Sequence, residues 1–99
     1  MPKVDYTALA RADLLEAWLF VAEENLNAAD QMLETISQGV DLLAQQPLMG
    51  RERPDLYPDL RSWPTSTPYI IFYIAQDDGL TVVRVLHHAR DIQGKDLVH

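Results

Sequence analysis

Six consecutive β-branched or aromatic residues, Tyr69-Ile70-Ile71-Phe72-Tyr73-Ile74, constrain the fold of this chain more than any other stretch. A second run of the same character, Leu80 to Leu86, follows across Gln76-Asp77-Asp78-Gly79. Two strand-forming runs joined at Asp-Gly, a dipeptide that accepts the positive φ of a tight primed turn, predict an antiparallel hairpin. With Asp78-Gly79 as the loop, Tyr73 faces Arg84 and Tyr69 faces His88; with a four-residue loop opening at Gln76, Tyr69 faces Leu86. Side chains alternate along a strand, so Ile70, Phe72, Ile74, Thr81, Val83 and Val85 share one face, the expected floor for helices. Tyr69, Ile71, Tyr73, Val82, Arg84 and Leu86 share the other, where function is expected.

A chain of 99 residues, 47% hydrophobic and 23% charged, supports one α+β domain over residues 1–99. It has no cysteine, which excludes disulfides and thiolate metal sites. The N-terminus lacks the basic and apolar pattern of a leader, and no apolar run reaches membrane-spanning length, so a cytoplasmic protein without membrane contact is expected. The net charge of −7 argues against direct binding to nucleic acid, which requires many cations to neutralise phosphates. That charge is uneven: residues 1–46 hold two basic and eight acidic side chains, the remainder six and seven. Five of those six later cations are arginine, the side chain suited to bidentate contact with carboxylate or phosphate.

Along the chain, Val4-Asp5-Tyr6 reads as a short edge strand, and Thr7 as the N-cap of an amphipathic helix from Ala8 to about Asn25 with Trp18 in the core. Asn27, with Asp30 three residues on, resembles the cap of a second helix from Ala28 to near Gln46. Ala29, Met32, Leu33, Ile36, Val40 and Leu43 form its apolar stripe. Gly39 costs that helix roughly 1 kcal/mol against alanine, and Pro47 ends it. So short a connection predicts a helix hairpin laid on the sheet. Pro47 to Pro58 reads as an exposed loop, Leu60-Arg61-Ser62-Trp63-Pro64 as a strand, and Ile92 to His99 as a short tail.

Several of these residues carry a family likeness. Ala12-Asp13-Leu14 with Trp18, Pro47 with Met49-Gly50-Arg51, Leu60-Arg61-Ser62-Trp63-Pro64, Tyr69-Ile70-Ile71-Phe72-Tyr73, and Val83-Arg84-Val85-Leu86-His87 through Ala89-Arg90-Asp91 resemble the ParE branch of the RelE/ParE toxin superfamily. The likeness covers about residues 6 to 92. It implies an α+β fold in the order β-α-α-β-β-β: a short N-terminal strand, then an antiparallel two-helix hairpin packed on one face of a small antiparallel sheet. It also implies a toxin of a type II toxin-antitoxin, or plasmid stabilisation, module. Such a toxin would form a hetero-oligomer with a ParD-like or other DNA-binding antitoxin, would inhibit DNA gyrase by binding, and would need no cofactor or metal. The RNA-cleaving RelE branch carries basic residues on the central strand, where this chain has Ile70 and Ile74.

The candidate contact residues are Arg51, Arg53, Arg61, Trp63, Tyr69, Tyr73, Arg84, His87 and Arg90. A metal-independent RNase would rest on Arg61, Arg84, His87 and Arg90, with histidine as acid or base and arginine stabilising phosphorane charge. A non-toxic module that only sequesters antitoxin is the third reading. Adjacent His87 and His88 would point to opposite faces of a strand and so not share a metal. Arg84, inside an apolar strand, requires a partner such as Asp59, Asp13 or a tyrosine hydroxyl.

Overall fold

The computed structural model describes residues 2–97; Val98 and His99, the end of the expected tail, lie outside the described residues. The elements are β1 (Lys3–Tyr6), α1 (Ala8–Ala22), α2 (Leu26–Gln45), β2 (Arg51–Glu52), β3 (Leu60–Pro64), β4 (Tyr69–Gln76), β5 (Gly79–His87) and a 3₁₀ turn (Gly94–Leu97). The strands form one sheet in the order β1-β5-β4-β3-β2. It is antiparallel throughout except for the parallel pairing of β1 with β5. The expected α+β order is therefore present, with one addition: Arg51 and Glu52, in the expected loop, pair with Ser62 and Arg61 of β3.

The central hairpin turns through Asp77 and Asp78, because Gln76 already pairs with Gly79. A side chain at Gly79 has no room: an added Cβ would lie 1.7 Å from the Lys3 carbonyl oxygen. Lys3 N–H also donates to the Asp78 carbonyl at 2.7 Å, which ties β1 to the turn. From the turn to Tyr73 the register is that of the longer-loop alternative, with Tyr73 opposite Val82. A β-bulge then intervenes between Phe72 and Tyr73, so Phe72 meets Arg84 and Tyr69 meets His87, which neither expected register contains. One extra residue in β5 turns the following side chains to the opposite faces.

The helices take the opposite face of the hairpin from the one expected. The helices pack on Ile71, Tyr73, Leu80, Val82 and Val85, not on the Ile70, Phe72, Ile74 and Val83 face. Val85 joins the helix side because the bulge reverses it. Tyr73 is fully buried there, since its hydroxyl reaches loop groups at the rim of the core and is satisfied. The other face is also apolar, and Leu56 from the loop with Ile92 and Leu97 from the tail cover Phe72, Leu60 and Leu86. A sheet buried on both faces reads as unbroken apolar runs. Each large side chain so buried contributes about 1.5–3 kcal/mol.

Thr7 caps α1 as expected, its hydroxyl accepting from Ala10 N–H at 3.0 Å. The helix stops at Ala22, and Asn25 rather than Asn27 caps α2 by accepting from Ala28 N–H at 3.0 Å. Leu26 is thus the first residue of α2, outward-facing, and the connection is Glu23, Glu24 and Asn25 rather than Leu26 and Asn27. Ala29, Met32, Ile36, Val40 and Leu43 of the expected stripe are buried. Trp18 is not a core residue: it is half-buried, and its indole N–H donates to the exposed Asp30 carboxylate at 2.9 Å. Among the described residues no helix is long and apolar enough to cross a membrane.

Candidate interaction surface

β1 covers the edge of β5 only as far as Val82, opposite Tyr6. Beyond that point the start of α1 takes over the orphaned edge groups. Thr7 N–H donates to the Val82 carbonyl at 3.0 Å and its hydroxyl to the Val83 carbonyl at 2.7 Å. Asp13 then accepts from Val85 N–H at 3.0 Å. The same carboxylate takes the Arg84 guanidinium in two bonds, from Nε at 2.7 Å and Nη2 at 2.8 Å. Arg84 also donates to the Asp96 carbonyl of the tail. The charge-assisted bonds to Asp13 raise the Arg84 pKa against the opposing effect of burial. Of the partners expected for Arg84, Asp13 is the one present.

At the other end of the sheet, Tyr73 and Arg61 grip the segment after α2. The Tyr73 hydroxyl donates to the Pro47 carbonyl at 2.7 Å and accepts from Gly50 N–H at 2.8 Å. Arg61 Nη1 donates to the carbonyls of Gly50 at 2.8 Å and Leu48 at 3.2 Å, while Nη2 lies 3.4 Å from Glu52. Burial raises the Tyr73 pKa, partly offset by the Gly50 bond and the Arg61 charge. The loop so held presents Leu48, 71% exposed, and Arg51, also exposed. Arg51 makes no ion pair among the described residues. Arg53 is paired within the loop, its Nε and Nη2 on the Asp55 carboxylate at 3.2 and 3.1 Å, which lowers the Asp55 pKa. Beneath the loop lies a cleft of about 550 Å³ lined by Leu48, Glu52, Arg61, Ile74 and Gln76.

A second, smaller cleft of about 180 Å³ lies between α1 and the end of the hairpin, lined by Glu16, Tyr69, His87 and Arg90 among others. Tyr69 meets the His87 ring edge-on at a centroid distance of 5.4 Å. Burial and the nearby Glu16 charge raise its pKa. His87 Nδ1 accepts from Ala89 N–H at 3.1 Å. His87 and His88 do not diverge as adjacent strand residues would: their rings stack at 4.7 Å, because β5 ends at His87 and the chain turns. Arg90 is exposed, 3.4 Å from Asp96.

The nine expected contact residues therefore do not form one site. Arg51, Arg53 and Arg61 gather at the proline loop; Tyr69, His87 and Arg90 gather at the small cleft. Tyr73 and Arg84 are buried structural groups, and Trp63 is half-buried against the helix-side core. Of the four residues an RNase would use, His87 and Arg90 share a cleft, Arg61 lies by the loop, and Arg84 is neutralised by Asp13. Glu16 was missed by sequence reasoning; its place one turn after Asp13 on α1 is the signal that brings it to the cleft. Among the described residues no three His, Asp or Glu side chains gather as a metal site requires.

Comparison with known proteins places this arrangement. No curated protein matches the chain. Among solved structures, a chain of the chromosomal ParDE toxin-antitoxin system from P. aeruginosa superposes with a TM-score of 0.72 at 21% identity, covering 88% of this chain and 96% of that one. That likeness establishes the fold. The profile of the ParE toxin of type II toxin-antitoxin systems, parDE, matches residues 4–92, from β1 through the start of the tail. With nearly the whole chain spanned by that match and the fold shared, this protein belongs to the ParE toxin family.

Proposed function

We propose that this ParE-family toxin acts by binding, with DNA gyrase as its target, and that a cognate antitoxin, ParD-like or another DNA-binding protein, holds it inactive in a hetero-oligomer. The observation that carries this reading is the use of the arginines. Arg84 is 8% exposed and closed on Asp13, and Arg61 is bound to two loop carbonyls, so neither is free to stabilise a phosphorane. What remains for contact is the rigidly held loop with Leu48 and Arg51, and Arg90 near the tail. An exposed arginine on a loop fixed by its scaffold is the kind of residue that carries protein-binding energy, and Leu48 beside it adds apolar contact area.

A second reading rests on the small cleft, where His87, Arg90, Tyr69 and Glu16 converge. They supply an imidazole, a cation and a carboxylate, the groups that metal-independent cleavage of RNA uses. The discriminating experiment is a gyrase supercoiling and cleavage assay beside an RNA cleavage assay, each with the parent chain and His87→Ala. Binding inhibition predicts that supercoiling is lost with both proteins. Gyrase left untouched at high excess, with RNA cut by the parent and not by the variant, reverses the assignment.

A further inference from the structure

The outer face of α1 is as apolar as its inner face. Ala10, Leu14, Ala17 and Val21 turn inward to the core. Ala8, Ala12, Leu15 and Leu19, at steps of four, three and four, turn outward, with Leu15 60% and Leu19 52% exposed. Leu26, the first residue of α2 just across the turn, is also 61% exposed. A surface helix ordinarily sets charge opposite its buried face. Alternating steps of three and four are instead the spacing of a seam that receives another helix.

The flanks of this stripe say what kind of helix. Glu16 and Glu23 border it on one side, and residues 1–46 hold eight acidic against two basic side chains. Glu16, Glu23, Glu24, Asp30, Glu34 and Asp41 are exposed and have no cationic partner among the described residues. A second copy seated on the stripe would add one strongly acidic surface to another. We propose that the outer face of α1 is the docking surface for a partner helix that carries an apolar heptad stripe flanked by lysine or arginine. The apolar stripe is separate from the proline loop and adjoins the His87 cleft only at Glu16, which lines that cleft, so the inference stands whichever target the toxin inhibits.

The test uses two synthetic helical peptides with the same leucine heptads, one flanked by lysines and one by glutamates, titrated into the full isotope-labelled chain at about 50 and about 300 mM salt. The lysine peptide is expected to shift the amide signals of α1 around Leu15 and Leu19, more weakly at the higher salt, and the glutamate peptide to leave them unmoved. Leu15→Ser with Leu19→Ser keeps every charge and removes the seam, so it should lose at least about tenfold in affinity with thermal stability retained. Equal binding of both peptides, no binding of either, undiminished binding by the serine variant, or shifts confined to another face would each overturn the proposal. So would a peptide-free dimer in sedimentation that the serine variant dissolves, which would make the occupant a second copy.

Discussion

Asp13 and Arg84, 71 residues apart in sequence, form a two-pronged ion pair whose carboxylate also holds the Val85 N–H of β5. One side chain of α1 thereby closes a strand edge, satisfies a guanidinium inside an apolar strand and fixes the helix against the sheet at the β-bulge. Side-chain exposure is 10% for Arg84 and 9% for Asp13, so the pair is nearly removed from water.

Removing one partner from such a pair leaves a buried, uncompensated charge. Asp13→Ala should cost about 3–5 kcal/mol, read as a lower urea midpoint at unchanged slope. Adding Arg84→Met removes the stranded cation, so the double variant should regain part of the loss. A double variant less stable than Asp13→Ala alone would mean that Arg84 is held chiefly by other groups.

The contact between Gly50 and Tyr73 leaves no room for a methyl group. A Cβ on Gly50 would sit 2.3 Å from the Tyr73 hydroxyl oxygen. Gly50→Ala should therefore lower stability by about 1–3 kcal/mol. Tyr73→Phe alone should cost about 1–3 kcal/mol, because the Gly50 N–H and the Pro47 carbonyl lose their shared partner. In the double variant the hydroxyl is gone while the ring carbons, 2.7 and 2.9 Å from the added Cβ, remain, so the combined loss should be only somewhat less than the sum of the two single losses. Thermal unfolding of the four proteins measures this directly.

Tyr6, Tyr69 and Tyr73 all have pKa values raised above the ordinary 10.0, with burial the largest cause in each. As pH rises through 10.0 the unfolded chain releases these phenol protons while the folded chain retains them. The folded state then binds more protons than the unfolded one, so stability falls with rising pH. The contribution is complete below the unfolded pKa and is lost as pH passes through the raised folded values. Urea midpoints should decline above about pH 10, and less steeply in Tyr73→Phe.

How much of this was legible in the sequence differs from element to element. The hairpin, the Thr7 cap and the α2 stripe follow from local chemistry, and the need of Arg84 for a partner follows from burial of charge. Alternation sorts the hairpin side chains into two faces up to the bulge, but the helices take the opposite face from the one expected; the bulged residue near Val83, which no residue type announces, reverses only the later side chains of β5. Both sheet faces are apolar, so alternation alone had little to separate them. Tyr73 stood among the contact candidates because it shares a strand face with Tyr69 and Arg84; only the fold brings the Pro47 carbonyl and Gly50 N–H within reach of its hydroxyl. The second apolar stripe of α1 was present in the spacing of Ala8, Ala12, Leu15 and Leu19. It was hidden by the inward stripe, two residues out of phase.

Arg51 and Arg61 separate contact from scaffold within one loop. Arg51 is exposed and makes no ion pair among the described residues, whereas Arg61 binds the Leu48 and Gly50 carbonyls and approaches Glu52. Arg51→Ala should leave stability within about 0.5 kcal/mol and, on the binding reading, raise the toxin concentration needed to stop gyrase supercoiling about tenfold. Arg61→Ala should lower the unfolding midpoint as well as inhibition, because the carbonyls it holds lose their donor and the loop loosens. Full inhibition by a well-folded Arg51→Ala chain would remove this loop from the contact surface and shift attention to Arg90 and the tail.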